Sequence, residues 1–526
     1  MSHDFGKYLY LEKKSQEFEE FVKSSLFIST SDFTLDKEKD YLGAGEFGKV
    51  YKIQMKGTSF ALKINKNPVC KEYAPGTVSE LETLRGSHNN NVVLFVGLTF
   101  IDERLGIITE YVDSDLETFI HKRSSPRFVK VFGQLNINLD LKIRIMEQCC
   151  LGVQWLHNAF GIIHRDIKPA NFLMNTSFEV KICDFGLAVN RKIANKQKKG
   201  TLLYMSPEVL KDEEDYGKPA DVYSLAITLW ELLYEKVPFC EYEKKCEKDT
   251  SIFEALVIDN VRPILPHIFL EEYKGKKAFE QMCQKIAENY KEKMNEIPKY
   301  LEEILKKAWK DKPTSRSDIN KLVEDVSVAK LSNVLNSQSA SEWWSKHFGT
   351  DKTRTDNFVT SKVFSEALAK TFKYDTYDQK ATETAFSPSG SVDILRFKFL
   401  ISIFGKFYLN KNQFLKMLDI IQAKWYNPAL NKATAAGQME GRVDGTFLIR
   451  ESTTDPSSPL TLLKMVKGKV SLVRIECTKK GESILYTILT KTEKESSEYL
   501  CDLIDKLVTL KVITQPCPKE YKESIY

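Results

Sequence analysis

The 526-residue sequence contains no run of about 18 consecutive apolar residues, the length that a membrane-spanning helix needs. Its ten cysteines include no C-x-x-C pair, so neither a zinc site nor a redox motif is expected. The first residues lack the apolar core of a signal peptide. These absences predict a cytoplasmic protein with reduced thiols, which reaches the plasma membrane only through a partner.

Charge is nearly balanced along the chain. The 77 basic and 72 acidic residues leave a formal excess of +5, which is too small to indicate a nucleic-acid partner. Hydrophobic residues make up 42% and charged residues 28%, as in ordinary globular proteins. At roughly 150 residues per domain, the length favours three to four domains.

The secondary-structure pattern predicts a multidomain α+β protein. Runs such as FALKI and VVLFVGLTF are typical of strands, whereas LKIRIMEQCCLGVQWLH and DVYSLAITLWELLYE have helical periodicity. Strands return in the last hundred residues, followed by a helix at about 497–510. The predicted divisions are an N-terminal extension (1–35), a first domain (36–330), a small polar linker (331–341), a helical domain (342–424) and a last domain (425–526).

Several short motifs in the first domain suit the handling of phosphate. The glycines of GAGEFGKV at 43–50 would let backbone amides approach phosphate oxygens closely, although the motif alone is weak. A strand follows this motif rather than a helix, which disfavours a dinucleotide site. Lys63 stands among apolar strand residues, so it needs either solvent or an anionic partner such as Glu80 or ATP phosphate.

Three further motifs follow in order: HRDIKPAN at 164–171, DFG at 184–186 and SPE at 206–208. The ordered set resembles the signature of the eukaryotic protein kinases, over about residues 36–330. The resemblance implies a bilobal protein kinase fold that uses ATP and Mg2+. The implied ATP-binding residues are Leu42, Gly43, Ala44, Gly45, Glu46, Phe47, Gly48, Lys49, Val50, Ala61, Lys63, Glu80, Thr109, Glu110 and Val112.

The resemblance also implies catalytic roles. Asp166 would accept the substrate proton and Lys168 would neutralise the transferring phosphoryl group, while Asn171 and Asp184 would hold magnesium. In the substrate loop, Thr201 would contact the catalytic aspartate. Glu208 and Arg316 would form a buried ion pair that ties this loop to the helical lobe.

The loops resemble those of serine/threonine kinases within the tyrosine-kinase-like branch. Lys168 follows the aspartate by two residues, and the substrate loop reads GTLLYMSPE. We therefore predict phosphorylation of Ser and Thr in protein substrates, with tyrosine kept open. Residues 187–200 contain no Ser, Thr or Tyr, so we expect activity without phosphorylation in this segment.

The last domain carries an arginine within an apolar strand, in GTFLIRES at 445–452. Such an arginine needs a carboxylate or another anion. Arg450 follows Trp425-Tyr426 by 25 residues, and this pattern resembles the Src-homology-2 domain, which binds phosphotyrosine. The resemblance implies a pocket formed by Arg450, Ser452, Thr453, Lys432 and Arg474. Leu472 departs from it, because the family usually has histidine there.

The helical domain weakly resembles an EF-hand-like linker, although the D-x-D-x-D-G calcium loop is absent. A kinase followed by a Src-homology-2 domain resembles the kinases of that architecture in social amoebae. The predicted function is signal transduction by a kinase that is recruited to tyrosine-phosphorylated proteins. The alternatives are a scaffold that binds phosphotyrosine without catalysis and a tyrosine kinase.

Overall fold

The computed structural model of the chain divides into two compact units, Met1–Ser327 and Val328–Tyr526, and each is described by itself. It describes residues 27–45, 48–66, 84, 89–133, 137–190, 200–213, 216–240, 250–265, 297–349, 358–373, 386–387, 390–452, 457–490 and 493–517.

An antiparallel sheet opens the first unit, with the strand order β1-β2-β3-β5-β4. Ile53, Leu62 and Ile108 come from three neighbouring strands and are completely buried on one face of this sheet. Side chains alternate between the two faces of a strand, so this apolar face fixes the pairing register. The strands are β1 (Tyr41–Ala44), β2 (Gly48–Met55), β3 (Thr58–Asn65), β4 (Phe95–Ile101) and β5 (Arg104–Glu110).

Helices dominate the rest of the first unit, as their periodicity predicts. The helices are α1 (Leu116–His121), α2 (Pro126–Phe132), α3 (Leu139–Trp155), α4 (Pro207–Leu210), α5 (Lys218–Tyr234), α6 (Thr250–Ile258), α7 (Lys299–Ala308) and α8 (Ile319–Leu335), of which the last continues into the second unit. α3 and α5 have 17 residues each and bury most of their apolar side chains. These two buried helices support the loops that lie between them in the chain.

Short strands hold those loops. The strands are β6 (Ser114–Asp115), β7 (Ile162–Ile163), β8 (Phe172–Met174), β9 (Val180–Ile182) and β10 (Val189–Asn190), arranged as the sheets β6-β8-β9 and β7-β10. The Cys183 amide donates a hydrogen bond to the Asn171 carbonyl oxygen over 3.0 Å. The β8–β9 hairpin therefore brings the ends of two predicted motifs, Asn171 and Asp184, next to each other.

The second unit combines helices with a six-stranded sheet, in the order β17-β16-β15-β14-β13-β18. Its helices are α9 (Gln338–Phe348), α10 (Ser361–Phe372), α11 (Ile394–Phe404), α12 (Lys411–Gln422), α13 (Lys432–Met439) and α14 (Leu500–Thr509). Its strands are β11 (Val359–Thr360), β12 (Ser391–Val392), β13 (Thr446–Glu451), β14 (Leu460–Val466), β15 (Lys469–Lys480), β16 (Ser483–Leu489), β17 (Lys494–Ser497) and β18 (Gln515–Pro516).

Both faces of this sheet are covered. Ala435 and Met439 of α13 pack against Leu448 and Leu463 on one face. The opposite face packs against α14 and joins one apolar core with the preceding helices α8 to α12, including Trp344 and Phe397. Sheet and preceding helices therefore form one body, because they share a single continuous core.

The segment that the sequence marks as a polar linker, 331–341, is largely helical. It contains the end of α8, the N-cap Ser337 and the start of α9. Leu331, Leu335 and Ala340 are buried there, in the core of the second unit. The domain boundaries proposed from sequence stay predictions.

Two searches of the described residues were negative. None of their helices is long and apolar enough to cross a membrane. Within the same ranges, no group of three or more His, Cys, Asp or Glu side chains is placed to hold a metal ion.

Candidate active site and anion pocket

Two glycines, Gly45 and Gly48, lie where β1 ends and β2 begins. The Gly45 amide donates to the Gly48 carbonyl oxygen over 2.9 Å, and Gly43 pairs with Val50 across the two strands. A Cβ atom on Gly48 would collide with the carbonyl oxygen of Ile64. Glycine is therefore required where the backbones approach most closely.

The neighbouring residues of the predicted nucleotide site follow from the same strands. Leu42 and Ala44 lie on β1, and Lys49 lies on β2 opposite Ala44. Glu46, Phe47 and Glu80 lie outside the described residues.

The end of β5 lies beside β3. Ala61 pairs with Thr109 across these two strands, and the side chain of Val112 is almost entirely buried just beyond them. A carboxylate oxygen of Glu110 accepts a hydrogen bond from the Leu94 amide over 2.8 Å, so this carboxylate is part of the backbone scaffold. The pairing brings together three predicted nucleotide-binding residues: Ala61, Thr109 and Glu110.

Lys63 pairs with Asp184, 121 residues further along the chain. The Lys63 Nζ donates to Asp184 Oδ1 over 2.7 Å. Burial acts to raise the pKa of Asp184, but the charge and hydrogen bond of Lys63 outweigh it and hold that pKa below its ordinary value. The site thus keeps an ionised carboxylate and a lysine together in a partly desolvated place.

A second cluster surrounds Asp166. Its Oδ1 accepts from the Thr201 hydroxyl over 2.8 Å and from the Thr201 amide over 3.0 Å. Its Oδ2 accepts from Asn171 Nδ2 over 3.0 Å and lies 2.7 Å from Lys168 Nζ. Lys168 also donates to the Thr201 hydroxyl over 2.8 Å. Lys168 and Asn171, from the same motif as Asp166, and Thr201 of the substrate loop therefore meet at one carboxylate.

Asp221 of α5 holds the backbone of this cluster. Its carboxylate accepts from the amides of His164 and Arg165 over 2.7 and 2.9 Å, and lies 2.8 Å from His157 Nε2. Burial acts to raise the pKa of Asp221, yet its hydrogen bonds and the charge interactions with His157 and His164 hold that pKa below its ordinary value. The sequence prediction missed this residue, although an aspartate in an apolar helix is the signal that marks it.

Oxygen donors suited to magnesium lie together at the end of the β8–β9 hairpin. The Asp184 carboxylate and the Asn171 amide oxygen are the hard ligands that this ion prefers. The amide nitrogen of Asn171 is committed to Asp166, so the amide oxygen is the atom available for a cation. The residues therefore fit the metal in donor chemistry.

Glu208 and Arg316 form a buried ion pair with two parallel hydrogen bonds. The Arg316 Nη1 and Nη2 atoms each lie 2.7 Å from one oxygen of Glu208. The side chain of Arg316 is 0% exposed and that of Glu208 is 3% exposed. Arg316 also donates to the carbonyl oxygens of Lys310, Asp311 and Pro219, so it joins three segments.

In the second unit, the anion pocket predicted from the sequence falls on β13, β14 and β15. Arg450 pairs with Thr461, and Thr461 pairs with Arg474, so the three lie in one row across the sheet. Arg474 Nη1 donates to the Ser452 hydroxyl over 2.6 Å. Arg450 Nη1 donates to the Glu451 carbonyl oxygen over 2.7 Å, while its buried Nε has no hydrogen-bond partner among the described residues.

This pocket favours an anion electrostatically. Burial, and then the positive charge of Arg474, lower the pKa of the Arg450 guanidinium. No described carboxylate pairs with Arg450, so the internal salt bridge that the sequence left open is not seen in these ranges. An anion would relieve both the charge repulsion and the unsatisfied N–H.

Lys432, Leu472 and Thr453 are the other residues considered for the pocket from the sequence. Lys432 is the first residue of α13, which packs on the same face of the sheet, but the described contacts include none between Lys432 and Arg450. Leu472 lies two residues before Arg474 and is 45% exposed. Thr453 lies outside the described residues.

Comparison with known proteins decides the family. Residues 37–326 match the protein kinase domain model, which is more than half of the chain. The chain belongs to the protein kinase family. Residues 425–505 of this kinase match the SH2 domain model, so the predicted order of a kinase domain followed by an SH2 domain is confirmed.

The kinase is similar to proteins of Dictyostelium discoideum. Dual specificity protein kinase shkD is 26% identical over 92% of this chain and 61% of its own length. Dual specificity protein kinase shkE is 26% identical over 85% of the chain and 59% of its own length. The chain therefore spans about three fifths of these two relatives. For shkC, also named a dual specificity protein kinase, the shares are 82% and 81%, again at 26% identity.

Two further residues of the kinase, Tyr216 and Thr461, lie beside the predicted sites. Tyr216 places its ring 5.6 Å from the guanidinium of Arg165, next to Asp166. Thr461 stands between Arg450 and Arg474, with its hydroxyl 3.5 Å from Arg474. Neither belongs to a motif, so only the pairing of distant segments reveals them.

Proposed function

We propose that the chain is an ATP-dependent protein kinase that phosphorylates serine and threonine, and also tyrosine, in protein substrates. The observation that carries this proposal is the bonded cluster of Asp166, Lys168, Asn171 and Thr201. Phosphoryl transfer depends mainly on positioning and charge neutralisation, and these residues provide both.

In the proposed reaction, the substrate hydroxyl oxygen attacks the γ-phosphorus of ATP. The oxygen–phosphorus bond forms as the bond to ADP breaks, and the hydroxyl proton passes to Asp166. Lys168 lies 2.7 Å from Asp166 and offsets the negative charge of the transferring group. Lys63, which lies 2.7 Å from Asp184, is proposed to hold phosphate oxygens of the nucleotide.

Asn171 and Asp184 are the residues proposed to hold Mg2+. When bound, the ion neutralises charge on the phosphates. The lowered pKa of Asp184 keeps its carboxylate ionised, as a metal ligand must be.

Acceptor specificity is proposed from two observations. Lys168 bonds to Thr201 and Asp166, an arrangement that suits the serine/threonine type of catalytic loop predicted from the sequence. Relatives over most of the chain carry the name dual specificity, which extends the proposal to tyrosine.

The decisive assay offers Ser, Thr and Tyr acceptors to the purified chain with Mg2+ and ATP. The products are sorted by phosphoamino acid, and Asp166→Asn serves as the blank. Label on Ser and Thr that disappears in the blank supports the kinase. Absence of label above the blank would favour the scaffold.

For the SH2 domain we propose phosphotyrosine binding at Arg450 and Arg474. A phosphate on tyrosine carries a charge of about −2, which suits two adjacent arginines and a buried N–H. Ser452 and Thr453 are proposed to add hydroxyl donors, and Lys432 to approach from α13.

Phosphopeptide binding to the full chain tests this site. Arg450→Ala should abolish the binding of a degenerate phosphotyrosine peptide pool, whereas Lys479→Ala, a matched cation on the exposed part of β15, should not. Unchanged binding after Arg450→Ala would refute the assignment.

Together these sites suggest recruitment in signal transduction. Docking on a tyrosine-phosphorylated protein raises the effective concentration of nearby acceptor residues. We propose a cytoplasmic kinase that reaches the plasma membrane only through such partners.

For residues 342–424 we propose an EF-hand-like arrangement. The short pairing of β11 with β12, each followed by a helix, supports it.

A further inference from the structure

Glu451 follows Arg450 directly and is itself buried, with its side chain 7% exposed. Its carboxylate accepts a hydrogen bond from the Tyr426 hydroxyl over 2.6 Å. Two nitrogens of Arg396 bind the same carboxylate, at 2.5 and 3.0 Å. Its carbonyl oxygen accepts from Arg450 Nη1 over 2.7 Å. Residue 451 therefore connects Arg396 to the arginine of the anion pocket.

Arg396 is fixed at several points. It lies in the first turn of α11, where its amide donates to the N-cap Asp393 over 2.7 Å. Its Nε donates to the Phe386 carbonyl oxygen, and its guanidinium lies 5.3 Å from the ring of Phe399. Because the guanidinium of Arg396 is planar and held in this way, it fixes the position of the Glu451 carboxylate and also balances its negative charge.

Arg396 lies outside the residues that match the SH2 model, 425–505. Yet its helix belongs to the same body as the sheet. The Tyr486 hydroxyl of β16 donates to the Ile403 carbonyl oxygen over 2.7 Å. A Cβ atom on Gly405 would lie 2.6 Å from the Glu482 carbonyl oxygen, so the end of α11 touches the β15–β16 turn.

We propose that Arg396 is a positioning residue for the phosphotyrosine pocket, acting through Glu451 on Arg450. The helical segment before the SH2 match is then part of the phosphotyrosine reader, not only a spacer. Without Arg396, a buried carboxylate would lose its charged partner and residue 451 would move toward water. Arg450 would lose its orientation, because its hydrogen bond within the described residues is to the carbonyl oxygen of that residue. This inference rests on the proposed binding of phosphotyrosine.

The test uses the full chain and a fluorescent degenerate phosphotyrosine peptide pool. Arg396→Met should weaken binding about tenfold or more, and Arg396→Lys should fall between, because it keeps the charge without the paired contact. Adding Glu451→Gln to Arg396→Met removes the uncompensated charge and should restore most of the affinity. Lys398→Met is the matched control on the same helix and should bind as the parent does.

A second measurement separates positioning from loss of folding. With 15N-labelled arginine, the Nε–H signal of Arg450, assigned by its absence in Arg450→Lys, should shift in the folded fraction of Arg396→Met. An unmoved signal with affinity within about twofold of the parent would overturn the proposal. If the parent binds no phosphotyrosine, the proposed function fails, and the Nε–H signal still decides whether Arg396 orients Arg450.

Discussion

Thr201 donates its hydroxyl hydrogen bond to the carboxylate of Asp166 over 2.8 Å, although 35 residues separate them in the chain. The substrate loop is therefore tied to the proposed catalytic base. Thr201→Val should lower kcat about ten- to hundredfold, because a small misplacement of the reacting groups costs that much. Thr201→Ser keeps the hydroxyl and should retain most activity, with the KM for ATP unchanged in both variants.

Phosphorylation at Thr201 should inactivate the kinase, since a phosphate there would stand against the Asp166 carboxylate. Thr201→Glu provides a charge mimic that should be less active than Thr201→Val. Equal or higher activity of Thr201→Glu would contradict this expectation.

The Glu208–Arg316 pair should stabilise the first unit only while both partners are present. Arg316→Met leaves a buried carboxylate without its cation and should cost about 3–5 kcal/mol of unfolding free energy. Replacing both residues by methionine should cost less than the single change. Thermal unfolding of the full chain measures the effect, with Lys312→Met as the matched control in the same segment.

Asp221 should make the first unit acid-sensitive. Its folded pKa lies below the ordinary value of 3.8, so its ionised form stabilises the fold above that pH. The stabilisation of the folded state by ionised Asp221 decreases as the pH falls from the ordinary pKa toward the lowered pKa. It is lost at pH values below the lowered pKa. Asp221→Asn should therefore be less stable at neutral pH, and its difference from the parent should shrink between about pH 5 and pH 3. A constant difference across that range would contradict the assignment.

Tyr216 should support the activity that is expected without phosphorylation in residues 187–200. Its ring lies against Arg165, which carries a positive charge beside Asp166. Tyr216→Phe keeps the ring and should stay active, whereas Tyr216→Ala should lose roughly tenfold in kcat because Arg165 loses its neighbour. Phosphatase treatment of the parent should change nothing, and activity that appears only after phosphorylation of Thr201 would contradict this view.

Local patterns anticipated much of the molecule. The strands at FALKI and VVLFVGLTF follow from the residue types of these runs, and two helices, those at LKIRIMEQCCLGVQWLH and DVYSLAITLWELLYE, follow from apolar periodicity. The final helix, Leu500–Thr509 in the structure, was also expected. The ordered motifs HRDIKPAN and DFG resemble the protein kinase signature, and that resemblance nominated Asp166, Asn171 and Asp184. The helical character of 331–341 was not recognised from the sequence, because the many Ser and Asn residues made the segment read as polar although Leu331 and Leu335 are apolar.

By itself, the sequence determined which residues are available for phosphate chemistry and which segments form strands and helices, because these depend on residue type and short-range spacing. Only the tertiary structure decided which partners those residues have. Asp221 reaches back 57 residues to the His164 amide, and Arg396 reaches forward 55 residues to Glu451. Such pairs arise from the packing of distant segments around shared cores, where a buried charge must find a partner whatever its place in the chain.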